Sequence, residues 1–171
     1  MATLTTNALF PETKLAAVAA IDNVIVNLSA PGESLYTRLQ SPHDKTAFLK
    51  ALVNILSLVR LKKNGGTPYV TLVFILNSLN YKSVPGMLAL AGKLGVHKMR
   101  FRFMEHTRET ESLLLTKEQE RELLVIVERE LKVPRATRNN LEEIRDTILD
   151  YEGGLRNQAL LRGLVRGGSG F

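Results

Sequence analysis

The chain has 171 residues, 44% hydrophobic and 23% charged, which suits one globular domain with a single core. It contains no cysteine, so disulfides, thiolate-held zinc, a cysteine nucleophile and an iron–sulfur cluster held by its own thiolates are all excluded. The net charge of +6 favours anionic partners without specifying them.

In chain order, extended β-prone runs at Thr3–Ala8, Asn23–Ser29, Tyr69–Asn77 and Lys98–Met104 are each followed by a helical pattern. That alternation predicts βαβ units and a parallel sheet. After the first run, Phe10-Pro11-Glu12 places proline at a first helical position, with Leu15, Val18 and Ala19 at helical spacing. After the second, Pro31-Gly32-Glu33 leads into one long amphipathic helix, striped by Phe48, Leu52, Ile55, Leu56 and Val59 and ended by Asn64-Gly65-Gly66. Pro85 opens the next helix and Gly95 stops it. Thr116-Lys117-Glu118-Gln119 reads as a capping box ahead of Leu123, Leu124, Val127 and Leu131. Asn140 with Glu143 repeats that signal before Ile144 and Ile148.

No apolar stretch reaches the roughly 20 residues that a membrane span needs. The opening Met-Ala-Thr-Leu-Thr-Thr lacks the regions of a secretion signal, so a cytoplasmic location is expected. The stretch from Gly153 to Phe171 carries Arg156, Arg162 and Arg166 and no acid, which fits a flexible tail better than a nucleic-acid patch. The expected division is 1–132 for the βα unit and 133–171 for a C-terminal helix with a basic tail.

Side chains alternate between the faces of a strand. Val24, Val26 and Leu28 fall together against Ile25, Asn27 and Ser29; Val70, Leu72, Phe74 and Leu76 oppose Thr71, Val73, Ile75 and Asn77; Met99, Phe101 and Phe103 oppose Arg100, Arg102 and Met104. In the first run Thr3, Thr5 and Asn7 stand apart from Leu4. A parallel sheet covered on both sides reads as continuous apolar runs. These strands are apolar on one side and polar on the other toward their C-terminal ends, which fits a part-barrel holding a polar ligand. An open sheet with one wetted face fits the same pattern.

Several segments are also familiar. Thr5-Thr6-Asn7-Ala8 resembles the Thr-Asn-Gly strand of radical S-adenosylmethionine (SAM) proteins, and Ile25-Val26-Asn27-Leu28-Ser29-Ala30-Pro31 with Tyr36 resembles their next strand and turn. Leu72–Leu76 with Asn77 and Asn80, then Leu90 to Phe101, is similar to the following βαβ unit of that family. The resemblance covers about residues 3 to 131. It implies a mainly parallel, four-stranded α/β half-barrel (a partial TIM-like barrel) with C-terminal helices, matching the last four strands of the family's six-stranded partial barrel. It further implies SAM as cofactor, contacted by Asn7, Asn27, Ser29, Asn77 and Asn80, with Phe103 and Met104 near adenine. Ala8 departs from the family's glycine and would crowd that turn. The family's [4Fe-4S] cluster hangs on a cysteine triplet that has no counterpart here, so another segment or chain would have to supply it.

Arg100 and Arg102, facing a barrel interior, could clamp a substrate carboxylate or phosphate, or could reach solvent at the strand ends. His43, His97 and His106 lack ligand spacing, and no metal site, paired-carboxylate site or phosphate-binding loop is expected. The implied function is a fragment or split subunit of a radical SAM enzyme, inactive alone; the alternative is a non-catalytic binding module built on the same half-barrel. Either implies pairing with an N-terminal half-barrel chain or self-association, because the first strand has an uncovered edge. Nucleic acid is a weaker expectation that rests on charge alone.

Overall fold

In a computed structural model, residues 1–40, 43–63 and 68–152 are described. The elements run β1 (Thr3–Thr6), α1 (Leu15–Ala19), β2 (Asn23–Asn27), α2 (Glu33–Leu39), α3 (Ala47–Lys63), β3 (Tyr69–Leu76), α4 (Val84–Leu94), β4 (Lys98–Phe103), α5 (Lys117–Leu131) and α6 (Leu141–Glu152). Among the described residues the strands form one all-parallel sheet in the order β1-β2-β3-β4. Strands added one after another by crossovers of the same hand place every helix on the same side.

That side is the apolar one expected from the alternation. Val24, Val26, Leu28, Val70, Leu72, Phe74, Leu76, Met99 and Phe101 are buried beneath Ala51, Ile55 and Leu58 of α3 and Met87, Leu88 and Ala91 of α4. Phe74 and Phe101 meet edge-on, with ring centroids 5.9 Å apart. Among the described residues no helix packs on the other face, so the sheet is a four-stranded half-barrel wall coated on one side.

Local signals set most boundaries. Gly95 closes α4 in the left-handed conformation, φ 69°, which costs glycine nothing. Both arms of the capping box form at α5, Gln119 N–H to Thr116 Oγ1 and Thr116 N–H to Gln119 Oε1. Leu141, Ile144 and Ile148 of α6 share the core with Leu123 and Val127 of α5.

The single long helix expected after Glu33 is instead two. Gln40 leaves helical geometry at φ −123° and turns its side chain onto β2, and the proline at position 42 has no N–H with which to continue a helix. Asp44 then restarts the chain, its carboxylate accepting from Thr46 N–H and Oγ1–H at 2.9 and 2.6 Å while its carbonyl takes Ala47 N–H. The expected stop at Asn64-Gly65-Gly66 and the tail from Gly153 lie outside the described residues. No helix among the described residues is long and apolar enough to cross a membrane.

Candidate functional site

The uncovered face is built in rows that the parallel register fixes. One row runs Thr5, Ile25, Thr71, Lys98; the next runs Asn27, Val73, Arg100; then comes Ile75 beside Arg102. With strands about 4.8 Å apart, Asn27 and Arg100 stand roughly 10 Å from each other across Val73. Arg100 is exposed and has no ion pair among the described residues, whereas Arg102 lies 3.3 Å from Glu105. Lys98, Arg100 and Arg102 share one side of β4, giving this face a cationic margin.

At the C-terminal strand ends the amide side chains mostly tie backbone together. Gln40 takes Ser29 N–H (3.1 Å) and Ser29 Oγ–H (2.8 Å) on its Oε1 and donates Nε2–H to the Asn27 carbonyl (3.1 Å). Asn80 is fully buried; its Nδ2 donates to the carbonyls of Ser29 and Ile75, and its Oδ1 accepts from Asn77 N–H. Asn77, also buried, turns its Oδ1 onto Leu79 N–H. The structure therefore brings Ser29, Asn77 and Asn80 together, with their side chains already engaged. A buried amide left without such partners would cost free energy, which is why the network closes on itself.

Asn7 is exposed and accepts Leu9 N–H at 3.1 Å. Ala8 adopts φ 59° and is wholly buried, in the position where the family resemblance expects glycine. The strained turn is held by Asn54 of α3, whose Nδ2 donates to the carbonyls of Ala8 and Phe10 at 2.8 and 2.9 Å. Phe103 packs half-buried against the core, on the helix-covered side, and Met104 N–H continues the ladder to the Leu76 carbonyl. Asn27 keeps a half-buried side chain on the open side, and its carbonyl accepts from Gln40.

Sequence reasoning missed Gln40, Asn54 and a cluster at the end of β3. There Glu122 of α5 accepts from Tyr81 Oη–H at 2.6 Å and from Lys82 Nζ at 2.9 Å. The Tyr81 hydroxyl, then the Lys82 ammonium, hold the Glu122 carboxyl below its ordinary range, while burial pushes Tyr81 up. Asn54 was discoverable, since it is a polar residue on the inward stripe Ala47, Ala51, Ile55, Leu58. No group of three or more His, Cys, Asp or Glu among the described residues could hold a metal ion.

No protein-family model and no curated protein matches the chain. Among solved structures it is similar to Streptococcus suis SuiB, with a TM-score of 0.61 and 10% identity over 81% of this chain and 32% of SuiB. It is likewise similar to SuiB bound to S-adenosylmethionine, at TM-score 0.59 and 9% identity, with the same shares covered. The chain thus spans about a third of SuiB. At such identities the likeness is one of architecture alone.

Proposed function

We propose that this chain supplies the ribose, adenine and substrate side of a SAM site, as a fragment or split subunit of a radical SAM-type barrel. The observation that carries the reading is the row Asn27–Val73–Arg100, which sets a half-buried amide and an exposed guanidinium with no ion pair among the described residues on either side of the buried, apolar Val73. Such a surface suits an adenosyl ligand, with polar ends held at the margins and a flat body over aliphatic side chains. Its likeness to a fold crystallised with S-adenosylmethionine agrees. Arg100 and Arg102 would receive an anionic group of the substrate, since a guanidinium pairs bidentately with carboxylate or phosphate.

In radical SAM chemistry the cluster supplies the electron that cleaves SAM. The donor set of this chain does not fit a [4Fe-4S] cluster, because it has no thiolate. The cluster would come from another segment or chain, and this one would bind and orient.

Calorimetry tests the reading. The chain alone should bind SAM weakly or not at all, and a complex with an N-terminal half-barrel bearing a cysteine triplet should bind it measurably. Asn27→Ala should weaken that second binding by about tenfold, the loss expected for one ligand hydrogen bond. Unchanged affinity there removes Asn27 from the site.

A second reading is a non-catalytic module that kept the half-barrel. It is favoured by the closed network of Ser29, Asn77 and Asn80, which leaves few polar side chains free at the strand ends. Stable folding with no SAM binding in any complex would select it.

A further inference from the structure

At the other end of the sheet, by the start of β4, a cleft of about 430 Å³ separates the C-terminal half of α4 from the segment between α5 and α6. Leu88, Gly92 and Lys93 form one wall, and Pro134, Arg135 and Thr137 form the other. We propose that this cleft binds a small organic anion, its charged head between Lys93 and Arg135 and its apolar body over Gly92 against Leu88 and Pro134.

Three independent observations support the assignment. Gly92 sits inside a helix, where glycine is disfavoured relative to alanine, yet a Cβ placed there would meet nothing within 4 Å. No packing demand explains the glycine, and keeping the floor of the cleft flat does. Arg135 pairs through Nη2 with the buried carboxylate of Glu130, but its Nε–H is buried with no acceptor among the described residues. An orphaned donor of that kind is uncommon in folded proteins, and a small shift of the guanidinium toward the cleft would let it meet an acceptor oxygen. Lys93 is exposed at the cleft rim with no ion pair among the described residues. Glu130 is shared between Arg135 and Arg129, so this wall stays cationic even before Lys93 is counted, which selects an anion. The cleft lies at the strand end opposite Ser29, Asn77 and Asn80, so the inference does not rest on the proposed SAM site.

The test follows backbone amide shifts of the full chain by NMR while hexanoate, inorganic phosphate or hexanol is added to about 10 mM, a range suited to weak ligands. Hexanoate should give saturable shifts centred on Gly92, Gly95, Ala136 and Thr137; phosphate should shift the same amides more weakly, and hexanol should leave them in place. Lys93→Met should weaken hexanoate about tenfold. Gly92→Leu should abolish binding while the chain keeps its fold, because the added side chain occupies the cleft. Absence of saturable shifts, shifts centred elsewhere, or undiminished binding by Gly92→Leu overturns the proposal.

Discussion

The side-chain amide of Asn140 lies against the backbone of Phe101 as a neighbouring strand would, accepting Phe101 N–H at 2.8 Å and donating to the Phe101 carbonyl at 3.0 Å. Next to it, Met99 N–H donates to the Arg138 carbonyl at 2.8 Å. The outer edge of β4 is thereby closed by residues that form no strand of their own. Unpaired edges invite association, and this one is covered.

Replacing Asn140 with Ala removes both hydrogen bonds to Phe101, along with an exposed one to Glu143, and reopens that edge. Stability to urea should fall by about 2 kcal/mol, at roughly 1 kcal/mol per bond. Light scattering should show greater self-association. A variant as stable and as monodisperse as the parent would show that the amide is incidental.

Asn54→Leu keeps the size of a buried side chain but leaves the Ala8 and Phe10 carbonyls without their shared donor. A loss of about 2 kcal/mol is expected in denaturant titration. Adding Ala8→Gly should recover part of it, because the left-handed conformation costs a non-glycine residue about 1 kcal/mol.

The order of the elements and the division of each strand into two faces were legible, because local signals a few residues apart encode them: Pro85 and Gly95, the Thr116–Gln119 box, the period-two alternation. The ties that shape the candidate site were not, because each joins distant residues. Asn54 reaches 46 residues back to Ala8, Asn80 reaches 51 back to Ser29, and Asn140 reaches 39 back to Phe101. Asn140 looked like an ordinary helix start, and it does begin α6, with Ile144 N–H on its carbonyl. Its side chain, however, serves the sheet. The break between α2 and α3 had a local signal, the polar run from Gln40 to Thr46 with Pro42 inside it, but the tie of Gln40 to β2 did not.

Two glycines of α4 should respond differently to the same change. Gly92→Ala should raise stability by about 0.8 kcal/mol, the propensity difference at an uncrowded helical site. Gly86→Ala should fall short of that gain, since its new Cβ would stand 3.0 Å from Pro31 Cγ. Thermal unfolding of the two variants side by side reads the difference.

Tyr36 is wholly buried, and its hydroxyl has no hydrogen-bond partner among the described residues. Burial, then the Asp44 charge, pushes its pKa up, so it stays neutral. Tyr36→Phe removes an unsatisfied polar atom and should stabilise the chain by up to about 1 kcal/mol in urea. A clear loss would reveal a partner for the hydroxyl.

Asp44 should make the start of α3 acid-sensitive. Hydrogen bonds from the Thr46 side chain and Lys50, then from the Thr46 backbone, lower its pKa from 3.8 to about 2. A depressed folded-state value means that its contribution is present above the unfolded pKa and is lost as pH falls toward 2. Carbon-detected NMR titration should place the Asp44 carboxyl near that value. Asp44→Asn should flatten this part of the stability profile in acid, and an unaltered profile would assign the acid sensitivity to other groups.

Among the described residues the opposite flank of the sheet has no counterpart to Asn140. In the register of β1 with β2, Thr3 and Thr5 direct their backbone N–H and C=O groups outward, and no described residue answers them. Among the described residues the wall is therefore polarised: a strand offered to this sheet would find free backbone groups along β1 and a closed margin along β4, so extension would run in one direction around the curve.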